Sequence, residues 1–138
     1  MTGPVAANQD AARKIVLGVD DAPENLIFLQ ATVKAGGYSF RGATSGIECL
    51  ALVPQVTPRL ILLDIEMPGM NGLETCKRLR ATPEARDIPV AFLTGYQTAA
   101  FVEAGIAAGG NDFIVKPFDP LKLIERIRYW MSRDVGSL

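Results

Sequence analysis

Short apolar stretches alternate with longer amphipathic segments along the chain, and this alternation defines the predicted elements. Five short stretches are typical of strands: residues 14–19, 38–42, 60–64, 88–93 and 113–115. Segments with helical spacing follow each of them: residues 23–35, 44–53, 72–81, 98–108 and 119–133. Because strands alternate with helices, the pattern predicts a parallel five-stranded sheet with helices on both faces, and the weak alternation of 38–42 indicates an edge strand.

Four of the predicted strands end in polar residues: Asp20-Asp21, Asp64, Thr94 and Lys116. Each has an ordinary alternative when it is considered alone. The acid pair or Thr94 could cap a helix or turn, Asp64 could begin a turn, and Lys116 could be a solvated loop charge. Because the carboxyl ends of parallel strands meet at one edge of a sheet, we expect these groups to converge there, where such folds bind ligands.

The chemistry of these converging groups favours phosphoryl transfer. Crowded carboxylates repel one another and would protonate unless a cation intervened. Oxygen ligands suit Mg²⁺, which keeps several of its waters and needs few carboxylates. An Asp can accept a phosphoryl group as an acyl phosphate, while an ammonium and a hydroxyl neutralise and position its oxygens.

Composition narrows the classes of protein that remain. The 138 residues are 49% hydrophobic and 21% charged with a net charge of -1, which suggests one globular domain without the basic surface of a nucleic-acid binder. No apolar stretch approaches the roughly 20 residues of a membrane span, and residues 1–12 do not resemble a signal peptide. We therefore expect a cytoplasmic protein whose two cysteines, Cys49 and Cys76, are reduced and buried. The sequence contains no histidine, which excludes a Ser-His-Asp centre and a His-ligated metal in this chain.

Four motifs in order carry a resemblance to a known family. They are Val19-Asp20-Asp21, residues 64–72 (DIEMPGMNG), Leu93-Thr94-Gly95 and residues 112–118 (DFIVKPF). Together they resemble the signature of the response-regulator receiver domain. The resemblance implies a receiver domain over residues 13–133, between an N-terminal tail (1–12) and a C-terminal tail (134–138). It also implies a flavodoxin-like, doubly wound fold with strand order 2-1-3-4-5 and five helices.

By this resemblance, Asp64 is the phosphoacceptor and takes its phosphoryl group from a phosphohistidine on a partner. Asp20, Asp21, Asp64 and the backbone carbonyl of Glu66 are the implied Mg²⁺ ligands. Such a domain is a signalling module that catalyses its own phosphorylation and dephosphorylation and is not an enzyme for free substrates. The implied partner is a sensor histidine kinase or a histidine phosphotransfer protein.

The resemblance also implies a switch. Lys116 would pair with the phosphoryl oxygens, Thr94 would hydrogen-bond to the phosphoryl group, and Phe113 would rotate inward with it. Glu66 and Tyr96 occupy positions that modulate the lifetime of the phosphoryl group. A Glu adds negative charge there, whereas a Tyr ring could shield the group, and the sequence does not rank the two effects.

The predicted helix over 98–108 has unusually few charges. Glu103 is its one charged residue, and its apolar side chains exceed what one buried face requires. One interpretation is a small-residue surface or a helix buried in a larger assembly. The other is that the 98–118 side binds a downstream effector or a second copy of the chain, because large apolar patches usually mark contacts. No direct contact with nucleic acid or membrane is expected.

Three rival functions are weaker. A phosphate-independent interaction module would not need the acids, the hydroxyl and the lysine. A phosphohydrolase of the haloacid dehalogenase type commonly has a second Asp two residues after its nucleophile, whereas this chain has Glu66 there. A dinucleotide enzyme is disfavoured because the first strand leads into Asp20-Asp21-Ala22-Pro23 and not into a GxGxxG loop.

Overall fold

The computed structural model describes residues 14–95 and 98–133, in which five strands alternate with five helices. The strands are β1 (Ile15–Val19), β2 (Ser39–Ala43), β3 (Leu60–Asp64), β4 (Val90–Thr94) and β5 (Asp112–Val115). The helices are α1 (Pro23–Ala35), α2 (Gly46–Val56), α3 (Gly72–Arg80), α4 (Ala99–Ala107) and α5 (Pro120–Ser132).

The strands form one parallel sheet in the order β2-β1-β3-β4-β5. This order confirms the predicted flavodoxin-like fold, and it places β2 at an edge as expected. The chain crosses from β2 over β1 to β3, so the direction of strand addition reverses between β1 and β3. A crevice opens at the carboxyl ends of strands on either side of such a reversal.

Two apolar clusters cover the two faces of the sheet. Side chains of α1 and α5 pack on one face, with Leu29 and Ile127 in the cluster. Side chains of α2 and α3 pack on the other face with the β4 ring of Phe92, and Ala108 at the end of α4 joins them. All five residues of β3 and all five of β4 are buried, which is why these strands are continuous apolar runs.

The start of α2 differs from the prediction. The predicted segment 44–53 begins at Thr44, a plausible cap by its hydroxyl, but Ser45 is the N-cap and its hydroxyl accepts a hydrogen bond from the Glu48 backbone N–H (3.1 Å). The Glu48 carboxylate in turn accepts one from the Thr44 backbone N–H (2.6 Å). This reciprocal pair satisfies two amides at once, so it favours the start one residue later. The helix also continues past Pro54 to Val56.

The described helices are all short. The longest have 13 residues, and among residues 14–95 and 98–133 no helix has the length and apolar character of a membrane span.

Candidate functional site

Three carboxylates meet at the crevice. Asp20 and Asp21 follow β1, and Asp64 is the last residue of β3. One carboxylate oxygen from each lies within 4.8 Å of the others. Asp20 and Asp64 are almost fully buried, with 1% and 2% of their surface exposed, whereas Asp21 is exposed. The cluster therefore has two fixed carboxylates inside and one at its mouth.

Lys116 reaches this cluster from the end of β5. Its Nζ lies 3.2 Å from Asp20 Oδ2 and 3.1 Å from Asp64 Oδ1. Its backbone N–H donates to the carbonyl of Thr94 (2.8 Å), which ties its loop to the end of β4. The peptide bond from Lys116 to Pro117 is cis. Lys116 is thus an ion-pair partner of both buried acids and not a solvated loop charge.

Burial and charge act against each other in this cluster. Burial raises the pKa of Asp64, and the nearby charge of Asp20 raises it further, while the hydrogen bond and charge of Lys116 lower it without cancelling the rise. Burial by itself would lower the pKa of Lys116. The hydrogen bonds and charges of Asp64 and Asp20 outweigh that effect and raise it. The lysine therefore stays charged, but its charge does not offset the combined effect of burial and of Asp20 on the pKa of Asp64.

Neighbouring groups orient the two buried acids. Asp20 Oδ1 accepts from the Ala22 backbone N–H (3.0 Å), and Oδ2 accepts from Asn25 Nδ2 (3.1 Å). Asp64 Oδ1 accepts from the Glu66 backbone N–H (3.3 Å). Asn25 was not singled out from the sequence. The available signal was its position in the first turn of α1, four residues after Asp21.

The remaining predicted residues are placed as follows. Thr94 is 1% exposed at the end of β4, and α4 is capped by the hydroxyl of Thr98 instead. Phe113 pairs in register with Phe92, two residues before Thr94 on the same strand, so Phe113 and Thr94 share the α4 side of the sheet. The Glu66 side chain is exposed. Tyr96 lies outside the described residues.

The donor set of the cluster fits a small hard cation. All three candidate ligand atoms are carboxylate oxygens, and the negative charge exceeds the single positive charge that contacts it. Mg²⁺ prefers such ligands and tolerates few of them because it retains waters. The exposed position of Asp21 leaves one side of the cluster open to solvent.

Comparison with known proteins identifies the family. The family model for the response regulator receiver domain matches residues 16–128, which is most of the chain. The chain belongs to the response-regulator receiver family. It is 33% identical over 125 residues to the DNA-binding response regulator MtrA of Mycolicibacterium smegmatis, covering 91% of this chain and 54% of MtrA. It is 36% identical over 113 residues to the response regulator PleD of Caulobacter vibrioides, covering 82% of this chain and 25% of PleD. The receiver thus spans about half or less of these relatives.

Solved receivers share its architecture. The chemotaxis protein CheY4 of Vibrio cholerae superposes with a TM-score of 0.82 at 29% identity, covering 85% of this chain and 98% of that one. The receiver domain of the sensor histidine kinase PA1611 of Pseudomonas aeruginosa superposes with a TM-score of 0.80 at 26% identity, covering 88% and 99%. That structure has a magnesium ion coordinated in its active-site cleft. The chain is therefore a receiver of two-component signalling, and its acidic cluster is compatible with Mg²⁺.

Proposed function

We propose that this receiver accepts a phosphoryl group on Asp64. The observation that carries the proposal is the buried Asp64 carboxylate, held 3.1 Å from an ammonium and within 4.8 Å of two further acids. A nucleophile placed in this way needs little further chemistry from the protein, because phosphoryl transfer depends mainly on positioning and charge neutralisation.

In the proposed step, an Asp64 carboxylate oxygen attacks phosphorus, the bond from phosphorus to the donor nitrogen breaks, and the imidazole leaves. An acyl phosphate remains on Asp64. The Lys116 ammonium already lies within hydrogen-bond distance of Asp64, so it would shift to contact the phosphoryl oxygens. Asp20, Asp21, Asp64 and the backbone carbonyl of Glu66 would hold Mg²⁺, which when bound neutralises the crowded oxygens.

The donor is a phosphohistidine from outside these 138 residues, because the sequence contains no histidine. A sensor histidine kinase or a histidine phosphotransfer protein would carry it. A surface cleft of about 540 Å³ adjoins the site and offers an approach. It is lined by Asn25, Phe28, Lys116, Pro117 and Phe118.

The output of the proposed switch lies on the α4 side. Thr94 would turn to the phosphoryl group, and Phe113 would rotate toward the space that it leaves. This change would alter the 98–118 side, where Ile106 is 61% exposed and α4 is largely uncovered. An effector or a second copy of the chain would bind there. The relative MtrA is named a DNA-binding response regulator, so the expectation of no direct nucleic-acid contact applies to this receiver alone and remains a prediction.

Labelling with a small phosphodonor tests the proposal. With acetyl phosphate and Mg²⁺, the wild-type chain should gain one phosphoryl group by intact mass, and Asp64→Asn should gain none. Asp87→Asn is the matched control, because Asp87 is an exposed acid in the loop before β4, at the opposite edge of the sheet. It should label like the wild type. Undiminished labelling of Asp64→Asn would exclude Asp64 as the acceptor.

A further inference from the structure

Helix α4 rests on the sheet through a glycine. Gly105 is the buried residue of α4, while most of the other α4 residues are exposed. The rings of Phe113 and Phe92 lie directly beneath it, with their centroids 5.6 Å apart at an interplanar angle of 38°. At this point of the contact between α4 and the sheet, two rings therefore meet a bare backbone.

The absence of a side chain at Gly105 makes room for the Phe113 ring. A Cβ built on Gly105 would lie 2.6 Å from Phe113 Cε1, closer still to Cζ, and 3.2 Å from Phe92 Cδ2. Carbon atoms pack at about 3.5–4.0 Å, so the Phe113 ring occupies space that any other residue at 105 would take.

The far end of α4 is held in place. The Gly110 backbone N–H donates to the Gly105 carbonyl (2.9 Å), and the Gly109 carbonyl accepts from Arg80 Nε (2.9 Å). Arg80 also donates to the Asn111 side chain (2.8 Å). These bonds fix the carboxyl end of α4 to α3. Because this fixed end lies close to residue 105, α4 cannot easily move away from the sheet to make room for a methyl group there. The Phe113 ring is only half-buried, so it moves more easily than the helix does.

We propose that Gly105 is a positioning residue that sets the resting orientation of Phe113, so that α4 and the aromatic ring form one coupled element. This inference rests on the proposed Thr94 and Phe113 switch. Phe113 and Thr94 lie on the same face of neighbouring strands, so a ring expelled from beneath Gly105 moves toward the position that the phosphorylated state requires. Gly105→Ala therefore favours that state before any phosphoryl group arrives.

The first test follows the ring itself in the unmodified protein. Phenylalanine is replaced biosynthetically by a fluorinated analogue, and the Phe113 resonance is assigned by its loss in Phe113→Ala. In Gly105→Ala this resonance should shift toward the position that it takes in wild-type protein saturated with beryllofluoride and Mg²⁺. Gly42→Ala is the control, because its Cβ meets its nearest atom at an ordinary 3.4 Å in the edge strand β2. An unmoved Phe113 resonance in Gly105→Ala would overturn the inference.

The second test is a double-mutant cycle on the apparent Kd for beryllofluoride, an analogue of the phosphoryl group. If the competent conformer is minor, the apparent Kd falls by the factor by which its population rises. Gly105→Ala should lower it about five-fold or more, the scale of an overpacked site. In the Phe113→Ala background the same substitution should change it less than about two-fold. The higher helix propensity of Ala acts on α4 equally with and without the Phe113 ring, so the comparison of the two backgrounds cancels it.

The outcomes separate the two proposals. If beryllofluoride binds the wild type and Gly105→Ala acts equally with and without the Phe113 ring, the coupling is wrong while the proposed function stands. If beryllofluoride does not bind the wild type in an Asp64-dependent manner, the proposed function fails, and the resonance of the unliganded protein still decides whether Gly105 positions Phe113.

Discussion

Asp64→Asn should make the metal-free protein more stable, even though it removes the proposed acceptor. Two unit charges 4.8 Å apart, the upper limit within the acid cluster, repel by about 3.5 kcal/mol at an effective dielectric constant of about 20. The buried Asp20 carboxylate is one such charge for Asp64, whereas Asp21 is exposed and its charge is screened by solvent. The Lys116 ammonium at 3.1 Å attracts Asp64 by about 5 kcal/mol on the same scale. Repulsion by Asp20 therefore offsets about 3.5 of the roughly 5 kcal/mol of attraction, and the cost of burying the Asp64 charge, several kcal/mol, exceeds the remainder.

The pKa of Asp64 also predicts that Asp64→Asn stabilises the metal-free protein. Its native pKa is raised by burial and by Asp20, so the native state binds the proton more tightly than the unfolded state does. The stability that the protonated Asp64 contributes is fully present below the unfolded pKa of about 3.9. It is lost as the pH rises through the native pKa. At neutral pH the ionised Asp64 is a net cost. We expect Asp64→Asn to raise the free energy of unfolding without metal by about 1–2 kcal/mol, which is the excess of the burial cost over the residual attraction by Lys116.

In the presence of Mg²⁺, the wild type should instead be more stable than Asp64→Asn. At a concentration of 100 times its Kd, a ligand of the native state adds about 2.7 kcal/mol of stability. The wild type should show this gain, and Asp64→Asn should lose most of it because it lacks one of the three carboxylates. Urea unfolding followed by circular dichroism, in EDTA and in Mg²⁺, measures all four values, with Asp87→Asn as the charge-matched control. The reasoning is refuted if Asp64→Asn is less stable than the wild type in EDTA, or if Mg²⁺ stabilises both equally.

Three further predictions concern other parts of the chain. Lys116→Ala should still permit some labelling by acetyl phosphate but should weaken the conformational response, because the ammonium that links the phosphoryl group to the β5 loop is lost. Identical amide NMR spectra of the phosphorylated mutant and the phosphorylated wild type would contradict this. If α4 is an interface, Ala104→Glu should reduce association of the phosphorylated chain by about ten-fold or more, since a buried unpaired charge is costly; unchanged sedimentation would argue against it. Cys49 and Cys76 are both fully buried, and burial raises the pKa of Cys49 to about 12. A disulfide reagent at pH 8 should therefore modify neither thiol until urea unfolds the protein, and rapid native reaction would show that the α2 and α3 packing opens.

The candidate site could be predicted in outline because its residues follow local rules. Asp64 ends an apolar run, and the acid pair and Lys116 likewise follow strands, so the principle that parallel strands share one edge was enough to group them. The order of the strands was implied by the resemblance and by nothing in the apolar pattern, because hydrophobic spacing specifies faces and not neighbours.

Other features depend on the path of the backbone and on side-chain contacts that the pattern does not predict. The choice of Ser45 over Thr44 as the α2 cap was not visible, since both hydroxyls are chemically suitable and the backbone path decides between them. The bond from Asn25 to Asp20 and the packing of Phe113 under Gly105 join residues whose spacing carries no periodic signal.

The amino-acid pattern was sufficient to locate the strands and helices to within a few residues and to identify the chemical groups at the strand ends, because burial and hydrogen bonding impose a fixed period on each element. The distances among Asp20, Asp64 and Lys116, and the identity of the ring that fills the space beside Gly105, followed from the folded arrangement. Those depend on the twist of the sheet and on how helices settle against it, and each is the joint result of packing by many residues.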